Sequence, residues 1–299
     1  MRKASYLKKT PGGTAFDVFN ALFMILLTAT MIYPFLNIFA ISLNEGTDAV
    51  RGGIYLWPRK LSFANYAYVF SNESLLRGAA VSVLRVVVGV ATGVFGNALL
   101  GYIVSNRAFY GRKFMRVLFL ITMYFSGGLI PTYLLMIRLG MMNSFQVYWV
   151  PNIFSAFYML LTSSYIQNLP ESLFEAARMD GCSELRLLVS IVLPLCVPML
   201  ACIAVYIGVD QWNSWFDVSL YSKNGKWDNL QIILYRLLNQ ATALQKMMEK
   251  QRVAVAMKTL QPLTVRAATT IVVTLPIIFI YPFFQKYFVS GITIGSVKG

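Results

Sequence analysis

Six apolar stretches, each long enough to cross a lipid bilayer, constrain what this chain can fold into. A bilayer core takes about 20 apolar residues of helix, because each residue adds about 1.5 Å. The stretches run approximately over residues 16–43, 78–104, 114–137, 145–166, 187–209 and 267–287. Backbone amides find no water in hydrocarbon, so each stretch is expected to be one helix. The sequence predicts an all-α polytopic membrane protein, a single domain over 1–299 with six transmembrane helices.

Two of these stretches contain residues that could interrupt a helix. Arg85 lies in the second stretch, and Pro194 and Pro198 lie in the fifth. A single arginine can be tolerated near the end of a span, and prolines are more frequent in transmembrane helices than in soluble ones. We therefore expect that neither stretch is split.

The distribution of basic residues predicts the orientation. Charged residues make up only 13% of the chain, about half the usual share of a soluble domain. The basic ones gather before the first stretch and between the second and third, whereas only Arg138 separates the third from the fourth. Loops rich in Lys and Arg stay in the cytoplasm. This rule places both termini and the segment 168–186 in the cytoplasm, and loops 44–77 and 210–266 on the opposite side of the membrane.

The same distribution disfavours a nucleic-acid-binding protein despite the net charge of +14, because short basic loops are accounted for by membrane topology. The chain contains no histidine and three cysteines without the spacing of a zinc site. We therefore expect no catalytic residues and no metal site. A phosphate-binding loop of the Gly-x-x-x-x-Gly-Lys-Ser/Thr type is also absent from the sequence, so the chain is not predicted to hold ATP or to be an enzyme.

A short charged segment separates the fourth and fifth stretches. Its marked residues are Glu175, Ala176, Ala177, Asp180, Gly181, Ile191, Leu193 and Pro194. Asn168 is a suitable N-cap for a helix that begins there, and Gly181 is a suitable left-handed end for it. Ser183 can then start a second helix. The segment 168–186 is therefore predicted to form a helix-turn-helix elbow, with the two alanines leaving one side of the first helix thin.

This spacing resembles the EAA motif of permeases of ATP-binding-cassette (ABC) importers. In that family the motif is a cytoplasmic coupling helix that docks on a separate ATPase, so the resemblance implies this role for Glu175, Ala176, Ala177, Asp180 and Gly181. It also implies ATP and Mg on the partner ATPase, and no cofactor on this chain. The alternative interpretation of the segment is an amphipathic linker lying on the membrane surface.

The C-terminal residues carry a second resemblance. Ser296, Val297, Lys298 and Gly299 are similar to the tail of the smaller permease of the maltose transporter, which contacts the ATPase subunits. The other possibility is a frayed terminus. Segments 33–37 and 57–58 resemble permeases for acidic or complex oligosaccharides such as alginate and pectin fragments.

Taken together, these features resemble the carbohydrate branch of type I ABC importers. The resemblance implies a permease subunit that imports a neutral or acidic oligosaccharide by alternating access. Its partners would be a second, different permease chain, two ATPase subunits and an extracytoplasmic solute-binding protein. Two alternatives stay open: import of a non-sugar solute by the same architecture, and a secondary transporter that works without ATP.

Several polar and aromatic residues are candidates for the translocation path. Arg85 either extends to the outer surface or pairs with a carboxylate or an acidic sugar. Asn97 shares a face with Gly89, Gly93 and Gly101, which either packs within the subunit or contacts a second permease. Aromatic and polar residues after the fifth stretch either contact a saccharide or form an interfacial belt. These are Trp212, Asn213, Trp215 and Asp217.

Overall fold

The computed structural model describes residues 11–239 and 261–296, which are predominantly helical. Within these residues there is no strand, and one isolated bridge joins Asn44 and Leu61. The all-α prediction is confirmed. The principal helices are α1 (Pro11–Ser42), α2 (Gly46–Ala49), α3 (Ala64–Ser71), α4 (Glu73–Ser105), α5 (Arg112–Tyr124), α6 (Leu129–Arg138), α7 (Ala156–Gln167), α8 (Glu171–Met179), α9 (Glu184–Leu187), α10 (Leu193–Leu195), α11 (Val197–Asn213), α12 (Phe216–Tyr221), α13 (230–239) and α14 (Pro262–Ser296).

Three of the described helices are individually long and apolar enough to cross a membrane: Gly12–Ser42, Glu73–Ser105 and Pro262–Ile280. Two bent helix pairs raise the number to as many as five. The predicted total of six transmembrane helices stays a prediction.

The fifth predicted stretch is bent, so the expectation of an uninterrupted helix was wrong. Glu184–Leu195 and Val197–Asn213 meet at an angle of 81° around Cys196. Leu188–Val192 forms a π-helical turn just before the bend, and Pro194 and Pro198 cannot donate backbone hydrogen bonds to the preceding turn. The prolines therefore account for the bend.

Two other predicted stretches also differ from single helices. Between α5 and α6 the chain turns by 117° at a break that includes Gly128, whose φ is +86°. Such a conformation is easily reached only by glycine. In the 145–166 stretch, regular α-helix begins at Ala156, after two 3₁₀ turns over Phe145–Tyr148 and Val150–Asn152.

The described residues divide into two compact units. The first comprises the described residues 11–71, 237–239 and 261–272. Its small core contains Ala40, Ala49 and Ile54. The buried side chain of Asn65 donates to the carbonyls of Ser42 and Asn44 and accepts from Thr264, fixing the chain after α1.

The second unit is built around α4, which packs against α7 and α11. Glycines on α4 allow close approach: a methyl group at Gly101 would lie 2.7 Å from the Cβ of Thr162, and one at Gly93 would lie 2.8 Å from Ile207. The glycine face of α4 therefore packs within the subunit. The alternative, that this face contacts a second permease, was wrong.

Candidate functional site

The motif segment forms the predicted elbow, and its first turn is closed by backbone hydrogen bonds. Helix α8 ends at Met179, and Gly181 follows with φ +71°. The amide of Cys182 donates to the carbonyl of Ala177 at 3.0 Å, and that of Gly181 donates to Arg178 at 3.0 Å. These two bonds form a Schellman motif. The prediction that α8 ends at a left-handed glycine is confirmed.

Of the two helix starts predicted for the elbow, the structure contains only the second. Ser183 caps α9 by accepting a bond from the amide of Arg186, as predicted. Asn168, however, ends α7 instead of starting α8, and Pro170 directly precedes α8. A residue before proline is disfavoured in helical geometry, so α8 begins only after Leu169 and Pro170. The predicted N-cap at Asn168 was wrong.

One side of the elbow is open and the other is packed. Glu175, Ala176 and Asp180 are exposed, and Met179 at the turn is 88% exposed. Within the described residues, no hydrogen bond or ion pair reaches the carboxylates of Glu175 and Asp180. Ala177 is buried, against the expectation that both alanines form the thin open side. Ala177 instead allows α8 to lie against its own chain.

The packed side belongs to an apolar cluster at the end of α4. Its buried members are Tyr102, Ile166, Ala177, Leu187, Leu188, Val192 and Cys196. These residues come from α4, α7, α8 and the first part of the bent pair Glu184–Leu195 and Val197–Asn213. The cluster therefore joins the elbow to three helices of the second unit.

Polar contacts attach the elbow at the same place. The hydroxyl of Tyr102 donates to the carboxylate of Glu184, whose other oxygen accepts from Arg178 at 3.1 Å. A further ion pair joins Arg107, just beyond α4, to Glu171 at 3.1 Å. Glu184 thus links α8 and α9 to the last turn of α4. Sequence analysis missed Tyr102 and Glu184, because 82 residues separate them.

The second candidate region is a buried network around Arg85. The side chain is 1% exposed, and its guanidinium pairs with Asp217 at 2.6 Å. It also donates twice to Gln211, at 3.1 and 3.2 Å, and lies 4.6 Å from the ring centroid of Tyr148. Arg85 therefore does not extend to the surface. It pairs with a carboxylate inside the chain, which was one of the two expectations.

The partners of Arg85 are themselves held in place. Asp217 accepts further bonds from the hydroxyl of Ser214 at 2.7 Å and the amide of Val218 at 2.8 Å. Gln211 donates to the carbonyl of Tyr148 at 3.2 Å. Tyr148 was missed by sequence analysis, since an aromatic residue in an apolar stretch carries no distinguishing signal. Arg85 and Asp217 are thus occupied by internal bonds.

The other predicted path residues are also mostly occupied. Asn97 is buried, donates to the carbonyl of Ile153 at 2.8 Å and accepts from the amide of Ser155 at 2.9 Å. Trp212 is buried and donates to the carbonyl of Val273 at 3.1 Å. Trp215 is stacked on Tyr235 with ring centroids 4.1 Å apart.

Asn213 is the exposed member of this predicted set, and its side-chain oxygen accepts from Gln231 at 3.3 Å. In the C-terminal tail, Ser296 is the last residue of α14, whereas Val297, Lys298 and Gly299 lie outside the described residues.

Comparison with known proteins identifies relatives along the whole chain. The polygalacturonan/rhamnogalacturonan transport system permease protein YtcP of Bacillus subtilis (strain 168) is 33% identical over 288 residues, covering 95% of this chain and 98% of that protein. Protein LplC of the same organism is 33% identical over 300 residues and covers both chains completely.

A solved structure shares the fold. It is a crystal structure of a bacterial ABC transporter involved in the import of the acidic polysaccharide alginate. The likeness has a TM-score of 0.85 with 25% sequence identity, and covers 93% of this chain and 98% of the matched chain. The elbow and the residues that bind Arg85 lie in the part of the chain that matches a family description, residues 97–294, and Arg85 itself precedes it. The chain belongs to the family of binding-protein-dependent transport system inner membrane components.

Proposed function

We propose that this chain is the membrane-spanning permease subunit of an ATP-driven ABC importer that moves an oligosaccharide across the bacterial cytoplasmic membrane. The observation that carries the proposal is the elbow, which is fixed to its own chain on one side and open on the other. Support for an oligosaccharide comes from the full-length likeness to a pectin-fragment permease and to a subunit of an alginate importer. The same likeness weighs against a non-sugar solute and against ATP-independent transport.

The open side of the elbow suits docking on a separate ATPase subunit. Its carboxylates at Glu175 and Asp180 have no internal partner among the described residues, and Met179 supplies an apolar tip. Charged hydrogen bonds around an apolar anchor are typical of protein interfaces. In this proposal the elbow is cytoplasmic, and ATP and Mg bind to the partner ATPases.

The packed side of the elbow suits the transmission of movement. The Schellman turn and the bonds of Glu184 with Tyr102 and Arg178 hold the elbow rigidly against α4. When the ATPases close, the elbow would move as a rigid unit. It would carry with it α4 and the bent pair formed by Glu184–Leu195 and Val197–Asn213. The path between this subunit and a second permease would then open outward to receive sugar from a solute-binding protein, and hydrolysis would reset it.

The tail is a second contact in this proposal. Ser296, Val297, Lys298 and Gly299 would reach the ATPase subunits, as their resemblance to the smaller maltose permease implies. Both termini are then cytoplasmic.

A single-cysteine crosslinking experiment tests the proposal. Cysteine is placed at Met179 in a chain whose Cys182, Cys196 and Cys202 are replaced by serine, and intact cells are treated with a membrane-permeant bifunctional crosslinker. We expect capture of an ATPase subunit, identified by mass spectrometry. The matched control is cysteine at Ala177, on the same helix but buried, which should capture no ATPase.

Uptake completes the test. Membrane vesicles containing the whole transporter should accumulate labelled oligosaccharide only when ATP and the solute-binding protein are supplied. Failure of Met179→Cys to capture an ATPase, combined with uptake that persists without ATP, would overturn the proposal.

A further inference from the structure

The loop that follows α1 folds back along that helix. Its base is the bridge between Asn44 and Leu61, directly after α1 ends. Farther into the loop, the carbonyls of Ile54 and Tyr55 accept hydrogen bonds from the side-chain amide of Asn37, at 2.8 and 3.0 Å. Asn37 lies inside α1, about 8 Å before the end of the helix at about 1.5 Å per residue. This part of the loop therefore returns to the level of the predicted first span.

Three consecutive large apolar side chains follow at that level, and all of them are exposed. Tyr55, Leu56 and Trp57 are 65, 51 and 83% exposed, and we call them the apolar tip. Leu56 lines a groove on α1 together with Tyr33 and Leu36. The surface of α1 beside the tip is also apolar and exposed. The apolar tip therefore extends the apolar surface of a helix that is long enough to cross a membrane.

The apolar tip is held from both sides by ordered residues of the first unit. Before the tip, Ile54 is buried with Ala49 in the small core of this unit. After the tip, the guanidinium of Arg59 donates to the carbonyl of Gly52 at 2.7 Å and pairs with the carboxylate of Asp48 at 3.0 Å. A surface that is already ordered loses little conformational entropy when it meets a partner.

The charged groups of the loop flank the apolar tip and are absent from it. The segment 52–58 is uncharged and lies between Arg51 and Arg59. At the base of the loop, Lys60 pairs with Glu45 at 3.4 Å. Aromatic side chains next to basic ones are typical of the boundary between lipid headgroups and acyl chains, where long basic side chains extend toward the headgroups. This distribution of charge matches a membrane surface.

The depth of the tip decides which partner it meets. A protein that docks from the aqueous side would meet the base of the loop, where Lys60 and Glu45 are paired. The apolar tip lies closer to the bilayer, beside Leu36 of α1. Among the described residues, no hydrogen bond reaches the indole nitrogen of Trp57, so this nitrogen can donate to a headgroup oxygen. Depth, charge and the free donor together favour lipid over a protein partner.

We propose that the apolar tip inserts into the outer leaflet beside α1 and anchors the loop to the membrane. Tyr55 and Trp57 lie at the boundary between headgroups and acyl chains, and Leu56 covers part of the groove on α1. The partner is a phospholipid of that leaflet. The proposal rests on the membrane-spanning α1 of the proposed function, but not on the solute or on ATPase docking. Its failure would therefore leave those two assignments intact.

Photolabelling of the wild-type transporter tests the contact. The assembled transporter is placed in nanodiscs of phosphatidylcholine and phosphatidylglycerol that carry a diazirine on the acyl chain close to the headgroup. Trypsin cleaves after Lys9, Arg51 and Arg59, so α1 and the apolar tip are released on separate peptides, 10–51 and 52–59. We expect lipid adducts on both peptides. Adducts on 10–51 alone would overturn the proposal, and adducts on neither would remove its premise that α1 lies in lipid.

Fluorescence quenching measures the depth of the tip. Trp57→Cys is made in the chain whose three native cysteines are replaced by serine, and it is labelled with the fluorophore NBD. Quenching by lipids with nitroxides at two acyl positions should place the label about 5–10 Å below the headgroups, as for other interfacial segments. Aqueous iodide should quench it little, with or without the solute-binding protein.

Lys60→Cys is the matched control, because Lys60 belongs to the same loop and its side chain is 61% exposed at the base. The label at this position should be quenched by iodide and little by the nitroxide lipids. Equal iodide quenching at positions 57 and 60 would place the tip in water. Quenching of the label at position 57 by neither reagent would place the tip against protein, in the second permease or the solute-binding protein. Either result would overturn the proposal.

Discussion

The elbow and the Arg85 network are both polar regions of an apolar chain, and they use their polar groups in opposite ways. The elbow is built from neighbours in sequence, and leaves Glu175 and Asp180 without internal partners among the described residues. The Arg85 network joins residues 126 and 132 positions apart, and pairs the guanidinium with both Gln211 and Asp217. Unused polar groups on an ordered surface favour a partner, whereas a closed buried network favours a structural role.

This contrast bears on the role of Arg85, an arginine in a transmembrane helix. A charge inside a membrane is by default a candidate functional residue, and Arg85 qualifies by position. Its bonds, however, are provided by its own chain, across α4, α11 and α12. Arg85 therefore holds three helices of its own chain together.

The largest predicted effect follows from breaking this network. Arg85→Ala leaves Gln211 and Asp217 without their main partner, and loss of one member of a buried pair costs about 3–5 kcal/mol. Because Asp217 is 23% exposed, we expect the lower end, about 3 kcal/mol. The measurement is the free energy of unfolding of the purified chain in lipid bicelles, by steric trapping.

The double variant Arg85→Ala/Asp217→Ala is the control for this prediction. Removing the carboxylate as well removes the unpaired charge, so the double variant should lose less than the sum of the two single losses. Additive losses, or a loss below about 1 kcal/mol in Arg85→Ala, would show that the network is not a structural joint.

The next effect concerns the close contact of α4 with α7, which positions both regions. In Gly101→Ala the added methyl group would lie 2.7 Å from Thr162 Cβ and 3.2 Å from the backbone nitrogen of Ser163. Overpacking of this kind costs about 1–3 kcal/mol. Gly208→Ala is the matched control, since its nearest neighbour would be a methyl group of Val90 at 3.5 Å.

Alanine is the better helix former by about 1 kcal/mol, so Gly208→Ala should be neutral or stabilising. Thermal unfolding of the two variants in one detergent measures both. Equal unfolding temperatures for Gly101→Ala and Gly208→Ala would contradict the tight contact.

Features that depend on neighbouring residues could be predicted from the sequence, whereas features that depend on contacts between helices could not. The ends of α8 and the cap at Ser183 depend on residues within one turn, so Gly181 and Ser183 could be identified directly. The misplaced start at Asn168 shows that a proline two residues later overrides a good capping side chain. The burial of Ala177 and the pairing of Arg85 depend on which helices meet, and hydropathy alone does not specify this.

The bends illustrate a different limit. The rule that an apolar run of bilayer length forms one helix assumes that only lipid surrounds the run. Protein contacts can satisfy freed backbone groups, so breaks near Cys196 and Gly128 become possible. For the same reason, the stacking of Tyr158 on Tyr206 could not be recognised from the sequence, because the two lie 48 positions apart in apolar stretches that suggest only burial.

A smaller effect is predicted at the turn of the elbow. Gly181 has φ +71°, and a Cβ there would meet no atom within 4 Å. Gly181→Ala therefore introduces only backbone strain, about 1 kcal/mol, and Gly181→Val adds to it through its branched side chain. We expect normal membrane insertion, but fewer sugar molecules transported per ATP hydrolysed, with Val worse than Ala. If wild type and Gly181→Val transported the same number of sugar molecules per ATP hydrolysed, the turn at Gly181 would not be needed for coupling.

The smallest predicted effect concerns a local ion pair in the first unit, and it depends on pH. Asp48 accepts from Asn44 and from Arg59, each at 3.0 Å, and these bonds hold the pKa of Asp48 below its ordinary value of 3.8. A lowered pKa stabilises the folded form above the unfolded-state value, and this stabilisation is lost as pH falls through the folded-state value. Amide hydrogen exchange over residues 44–65, corrected for intrinsic rates, should thus accelerate in wild type below about pH 4. Asp48→Asn should exchange faster already at pH 6.5 and change less on acidification; an identical pH response in the two proteins would show that this carboxylate does not stabilise the segment.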